Sequence, residues 1–197
     1  MDSDDRLLSQ FLAGDERAFE TLVGRYEAPL RKLVYGLVRD WALAEDVAQD
    51  AFLRAYQKAS TFRGGSSVKA WLYRIAINRA HDELRRIRRK GEISLESAEI
   101  GGLELDESWT ASPEALAAAR ELERHVAMAL SEMREEYRTV LILREMEGMT
   151  YREIAELLGW PLGTVQTRVH RGRLELRSRL RELREPRERT RGRKLKR

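Results

Sequence analysis

Thr164, Gln166, Thr167, Arg168, His170, Arg171 and Arg173 crowd into the stretch "GWPLGTVQTRVHRGR" at 159–173. Their chemistry is hydrogen bonding to base edges and phosphates, not bond-making. An Arg guanidinium pairs bidentately with guanine and a Gln amide with adenine; a Thr contacts phosphate or packs on a thymine methyl. Spacing decides whether these residues can act together. Val165, Val169, Gly172 and Leu176 recur at intervals of 4, 3 and 4, the stripe of a helix packed on one side. The polar residues are what remains facing outward. An α-helix fits the major groove of duplex DNA, its N-terminal part aimed at the bases. A polar helix in a small bundle would show the same face. What favours DNA is agreement between neighbouring signals. Thr150 with Glu153 spells a capping box, Ile154, Ala155 and Leu158 form the inward side of a preceding helix, and Gly159 with Pro161 supplies a turn.

Two further constellations lie upstream. Trp71, Arg74, Asn78, His81 or Asp82, and Arg85 share a helical stripe. An aromatic interleaved with Arg and Asn suits unstacked bases and a single-stranded backbone. Trp71 also reads as simple core, and the basic run 85–90 as a cation-rich helix C-terminus. Asp46, Gln49, Asp50 and Leu53 form an acidic and amidic face with an apolar edge. It would repel DNA and suits a basic protein partner; a solvated helix face has the same composition.

Nothing is placed for catalysis. Histidines stand at 81, 125 and 170, without metal-ligand spacing. The chain has no Cys, which excludes disulfides and thiolate chemistry and fits a reducing cytosol. Walker A, G-x-S-x-G and H-E-x-x-H patterns are absent. No cofactor and no metal is expected. The start, "MDSDDRLLSQFLAG", lacks the basic and apolar segments of a signal peptide. The longest run without Asp, Glu, Lys or Arg is 157–167, too short to insert in a membrane.

These residues need elements to hold them, and nearly every periodic segment predicts helix. Ala18, Phe19, Leu22, Val23 and Tyr26 lead to Leu30, Leu33, Val34 and Leu37, with Pro29 expected to break or kink the run. Ala44, Val47, Ala48, Ala51 and Ala55 mark a second helix. "STFRGGSSV" is a turn-rich loop, and Leu72, Ile75 and Ala76 mark a long helix over 69–90. Ser112-Pro113 reads as a cap and first helical residue, followed by helices at about 113–131, 134–147, 150–158 and 163–182. Charge divides the chain: residues 63–90 carry nine Lys and Arg against two acids, 92–114 carry seven acids and no Lys or Arg, and 181–197 carry nine Lys and Arg against three acids. Two basic blocks around an acidic spacer suggest a polyanion bound at two places. The predicted architecture is all-α: a helical domain at 1–90, a flexible acidic linker at 91–112, a helix-turn-helix domain at 113–182 and a disordered basic tail at 183–197. The tail either adds salt-sensitive DNA affinity or is merely solvated.

At this point a family resemblance is legible. "AEDVAQDAFLRAYQKASTFRGGSSVKAWLYRIAINRAHDELRR" resembles region 2 of extracytoplasmic-function sigma factors, and "MREEYRTVLILREMEGMTYREIAELLGWPLGTVQTRVHRGR" resembles their region 4. The resemblance implies a sigma factor: a dissociable subunit that binds core RNA polymerase and directs it to promoter DNA. It implies that Asp46, Gln49, Asp50 and Leu53 dock on the clamp helices of the largest subunit. It implies that the loop bearing Arg63, Ser66 and Ser67, with Trp71, Arg74 and Asn78, opens the −10 element and captures a flipped base, while Arg79, Arg85 and Arg86 follow the adjacent backbone. Arg144, Gln166, Thr167, His170 and Arg171 match positions that contact the −35 element, flanked by Thr164 and Arg168 on the same helix face. An anti-sigma partner is also implied. A stand-alone helix-turn-helix regulator is the competing class, but it would have no use for an acidic dock in a separate domain. A linker of 91–112 can stretch to about 70 Å, roughly two turns of B-DNA at ~34 Å each.

Overall fold

The computed structural model describes residues 3–64, 66–90 and 113–184, and every regular element among them is helical. Local chemistry sets where the helices begin. Ser3 accepts from the Arg6 amide at 3.3 Å and opens α1 (Asp4–Leu12). Asp15 caps α2 (Glu16–Val38), and Asp40 accepts from the Leu43 amide at 2.8 Å to cap α3 (Trp41–Lys58). Ser67 accepts from the Ala70 amide at 3.1 Å at the head of α4 (Val68–Lys90). Side-chain oxygens of this kind satisfy amides that the first turn leaves without partners.

These four helices form the first domain. α1 carries only Leu7 and Leu8 into the core and is pinned to α2 by Asp4, which pairs with Arg25 and accepts from the Tyr26 hydroxyl. Leu30, Leu33, Val34 and Leu37 of α2 pack against Ala44, Ala51 and Ala55 of α3 and Leu72, Ala76 and Ala80 of α4. Of the break or kink expected at Pro29, the break does not occur: α2 runs through it. A proline forfeits one backbone hydrogen bond and costs ~3 kcal/mol in a helix interior, whereas fully burying each of Leu22, Leu30 and Leu33 contributes about 1.5–3 kcal/mol. Tertiary burial outweighs the local rule. Arg39 ends α2 in the left-handed region at φ 61°, its guanidinium over the Tyr35 ring, and that ring stacks on Trp41 at 4.2 Å.

The second domain comprises α5 (Pro113–Glu132), α6 (Glu135–Leu141), α7 (Tyr151–Leu158) and α8 (Leu162–Arg184). The helix expected over 134–147 stops early and widens into a π-helical turn, Ile142–Met146, closed by the Glu147 amide on the Ile142 carbonyl at 3.1 Å. The turn keeps both Ile142 and Leu143 buried. Gly148, at φ 67°, then reverses the chain toward α7. The capping box at Thr150 is complete: the Glu153 amide donates to the Thr150 hydroxyl at 3.2 Å, and the Glu153 carboxylate accepts from the Thr150 amide at 2.7 Å. We expect Thr150→Ala to lower stability by ~1 kcal/mol, read as a small fall in melting temperature. The linker at 91–112 and the tail beyond 184 lie outside the described residues, so the readings made of them stand as expectations.

The two domains touch. The C-terminal part of α2 meets α6 and the π turn, and α4 lies along α7. Sequence periodicity suggests two modules apart on a tether and does not foresee this contact.

Candidate nucleic-acid interface

The helix-turn-helix is built as its residues suggest. Gly159 ends α7 at φ 67°, a backbone angle that glycine adopts without strain. Val165 and Val169 are fully buried under α8; beneath α7 Ile154 is buried as expected, but it is joined by Leu157, while Ala155 and Leu158 are only partly buried and Leu158 lines a cleft shared with α4. Gly172 lets α8 cross α6 closely: a Cβ there would lie 3.1 Å from Leu141 Cγ. With that side committed to the core, Gln166, Thr167, His170 and Arg171 stand exposed on the opposite side, and Thr164 is half-buried at its head. Arg168 is held differently. Its guanidinium sits 3.9 Å from the centre of the Trp160 ring, a cation–π contact that fixes the arm against the turn. Arg144 is also engaged: it donates to the Met149 carbonyl at 2.8 Å and lies over the Tyr151 ring, bracing the start of α7. Arg173 pairs with Glu145 at 2.6 Å. Trp160 is the residue that sequence reasoning missed, and its only signal was an aromatic immediately before Pro161.

On α4 the expected stripe divides. Arg74 and Asn78 are exposed and line one side of a cleft of about 170 Å³, closed on the other side by Leu157, Leu158 and Trp160. Trp71 is 6% exposed and packs beside Phe62. In this structure it serves the core, the other of its two sequence readings. Ser67 is engaged as the helix cap, while Arg63 is exposed and Ser66 half-buried in the loop before it. Arg85 and Arg86 are exposed and pair along the helix with Asp82 and Glu83. Arg79 reaches across to Asp50. One residue proposed for DNA and one proposed for a protein partner are thus joined to each other. Burial would push the Asp50 carboxyl up, but hydrogen bonds from Arg79 and Arg54 hold it below the usual carboxylate range. Asp46, Gln49 and Leu53 remain exposed on α3, Leu53 at 56%.

Among the described residues no cluster of His, Cys, Asp or Glu could hold a metal, and no helix is long and apolar enough to cross a membrane. The class that fold and site define is an all-helical DNA-binding protein, with a helix-turn-helix module beside a second helical module. Known proteins carry the same pair. Residues 22–90 match the family model "Sigma-70 region 2", and residues 124–176 match "Sigma-70, region 4". The chain is 38% identical over 175 residues to the RNA polymerase sigma-H factor of Pseudomonas aeruginosa, covering 87% of this chain and 91% of that one. It is 35% identical over 179 residues to the ECF RNA polymerase sigma factor SigW of Bacillus subtilis, covering 89% and 96%. Among solved structures, CnrH in complex with the cytosolic domain of CnrY matches with a TM-score of 0.68 at 28% identity, covering 92% of this chain and 99% of that one. This chain belongs to the extracytoplasmic-function RNA polymerase sigma factors. It is a transcription initiation factor, not an enzyme, and its partners are core RNA polymerase and promoter DNA.

Proposed function

We propose that the chain reads a −35 element through Thr164, Gln166, Thr167, Arg168, His170 and Arg171, with Arg144 alongside, and captures the unpaired −10 strand through Arg74 and Asn78. Arg63, Ser66 and Ser67 line the capture loop. Arg79, Arg85 and Arg86 follow the strand, and Trp71 supports the platform from beneath. Asp46, Gln49, Asp50 and Leu53 form the dock for the clamp helices of the polymerase. The boundaries are 1–90 for the strand-opening domain, 91–112 for the linker, 113–182 for the duplex-reading domain and 183–197 for the tail. The work is done in the cytoplasm, where an anti-sigma factor holds the free chain; the structural neighbour CnrH is seen in complex with the cytosolic domain of CnrY.

The observation that carries this reading is the exposed cluster Gln166, Thr167, His170 and Arg171 beyond the Gly159 turn. Base flipping costs a few kcal/mol, and exposed polar groups such as Arg74 and Asn78 can meet the extruded strand.

The test is transcription in vitro with core polymerase on a duplex promoter and on the same promoter with a pre-melted −10 segment. Arg74→Ala with Asn78→Ala is expected to lower initiation on the duplex by tenfold or more, for a loss of about 1.4 kcal/mol or more, and to be rescued on the melted template. Trp71 is left intact because its removal would damage the core. Equal activity of variant and parent on the duplex would reject the strand-capture assignment.

A further inference from the structure

The turn between α7 and α8 carries a tryptophan whose place is fixed locally. Gly159 reverses the chain at φ 67°, the Trp160 amide donates to the Ala155 carbonyl at 3.0 Å, and Pro161 follows. The Pro161 carbonyl then accepts from the Thr164 and Val165 amides at 2.9 and 3.2 Å, so α8 starts immediately beyond the ring. The indole is half-buried and lines the cleft beside Leu157 and Leu158. Over it lies the Arg168 guanidinium, 3.9 Å from the ring centre.

Arg168 differs from its neighbours in direction. At 3.6 residues per turn, Thr167, His170 and Arg171 spread across the middle of the outward side of α8, opposite Val165 and Val169. Thr164 and Arg168, four residues apart, lie together on one flank, nearer the buried stripe. Both are half-buried, whereas Thr167, His170 and Arg171 are exposed. A helix seated in the major groove turns its middle to base edges and its flanks to the sugar-phosphate walls.

Arg168 differs in its partners too. Arg144 is engaged by the Met149 carbonyl, Arg173 by Glu145 and Arg79 by Asp50. Among the described residues no carboxylate or carbonyl accepts from Arg168. Its charge is held in place by a ring that neutralises none of it. The guanidinium is a planar fork that suits two phosphate oxygens, and its donors are left open. Holding the arm in advance also removes rotamer freedom that a free side chain would lose on binding.

We infer that Trp160 is a positioning residue for promoter binding: it presents Arg168 to a backbone phosphate flanking the −35 groove. Arg168 then sets register and leaves base reading to Gln166, Thr167 and Arg171. The inference rests on the reading of α8 as the −35 helix, and the test tells the two apart.

Holoenzyme is assembled from the full chain and core polymerase. Promoter affinity is measured over a series of salt concentrations, on a promoter with its −35 box and on one with that box replaced. Arg168→Ala is expected to lower the slope of log affinity against log salt by about one, the contribution of one phosphate, and to keep the ratio between the two promoters. Trp160→Leu keeps apolar bulk in the cleft and removes the π face. It is expected to weaken binding to both promoters by about two- to fivefold, the worth of an exposed cation–π contact. Trp160→Phe is expected to restore most of that loss. Arg168→Lys retains the charge and gives up the planar stack; it is expected to keep the salt slope and to lose about the same factor as Trp160→Leu.

The double variant shows whether the ring acts through the arm. Once Arg168 is alanine, Trp160→Leu is expected to cost nothing further. An equal loss with and without Arg168 makes Trp160 plain packing and overturns the inference. So does Arg168→Ala with an unchanged salt slope and a lost preference for the −35 box, the mark of a base contact. The α8 reading is checked on the same templates. If alanine at Gln166, Thr167 and Arg171 leaves the preference intact, α8 is not the reader, and the positioning role falls with it.

Discussion

Replacing Gln166, Thr167 and Arg171 together by alanine is expected to abolish selective −35 binding while leaving the chain folded. All three side chains are exposed on α8, so their removal opens no cavity. Each base contact of this type discriminates by about 1–3 kcal/mol. Three lost together amount to at least ~3 kcal/mol, more than a hundredfold in affinity. The loss is expected in footprints over the −35 region at fixed salt, since phosphate contacts scale with ionic strength and base contacts do not. Arg168 is left out because its stacking on Trp160 would mix a structural effect with a binding one. Thermal melting of the variant is expected to match the parent. A variant that melts normally and still selects the −35 sequence would remove α8 from the reading role and leave a polar helix of a small bundle, the alternative that composition alone leaves open.

The second large effect concerns one missing side chain. Gly172→Val is expected to destabilise the second domain, because its first added carbon meets Leu141 Cγ at 3.1 Å, Leu141 Cδ1 at 3.3 Å and Tyr137 Cβ at 3.4 Å. These atoms belong to the packed seam between α6 and α8, not to loose ends. Overpacking of this kind costs about 1–3 kcal/mol. In a module of this size each kcal/mol moves the melting temperature by roughly 4–8 °C, so a fall on the order of 10 °C is expected. The control lies on the same helix. A Cβ at Gly163 meets nothing within 4 Å, and Gly163→Ala is expected to stabilise by about 0.5–1 kcal/mol through the smaller conformational freedom of the unfolded chain. Opposite signs for two glycines on one helix are the measurable outcome. A stabilising or neutral Gly172→Val would mean that the α6–α8 seam is looser than its distances indicate.

Much of this molecule is readable along the chain. Helix type follows from apolar spacing, and the 4, 3, 4 stripe of Val165, Val169, Gly172 and Leu176 already separates the buried side of α8 from Gln166, Thr167, His170 and Arg171. Caps at Thr150 and turns at Gly159 depend on residues three or fewer apart, so they too are written locally. The exceptions have physical causes. α1 escapes notice because nine residues with only Leu7 and Leu8 buried show no usable period. Pro29 does not end its helix because a local penalty is smaller than the burial around it. Trp71 stays ambiguous because an aromatic on a helix serves a core and a stacking platform equally well.

What α4, α6 and α7 do to one another is a different matter. Tyr73 finds Glu147 across 74 positions and His81 finds Thr139 across 58. Nothing in the spacing of either pair marks it, because a hydrogen bond depends on where two surfaces come to rest and not on separation along the backbone. The amino-acid order by itself settled two helical modules and the face each turns outward, since periodicity is a property of one helix at a time. Only the tertiary structure decided that the modules rest against each other, with Arg138 shut in and Asp50 bound to Arg79, since those outcomes depend on the sum of desolvation and pairing between distant groups.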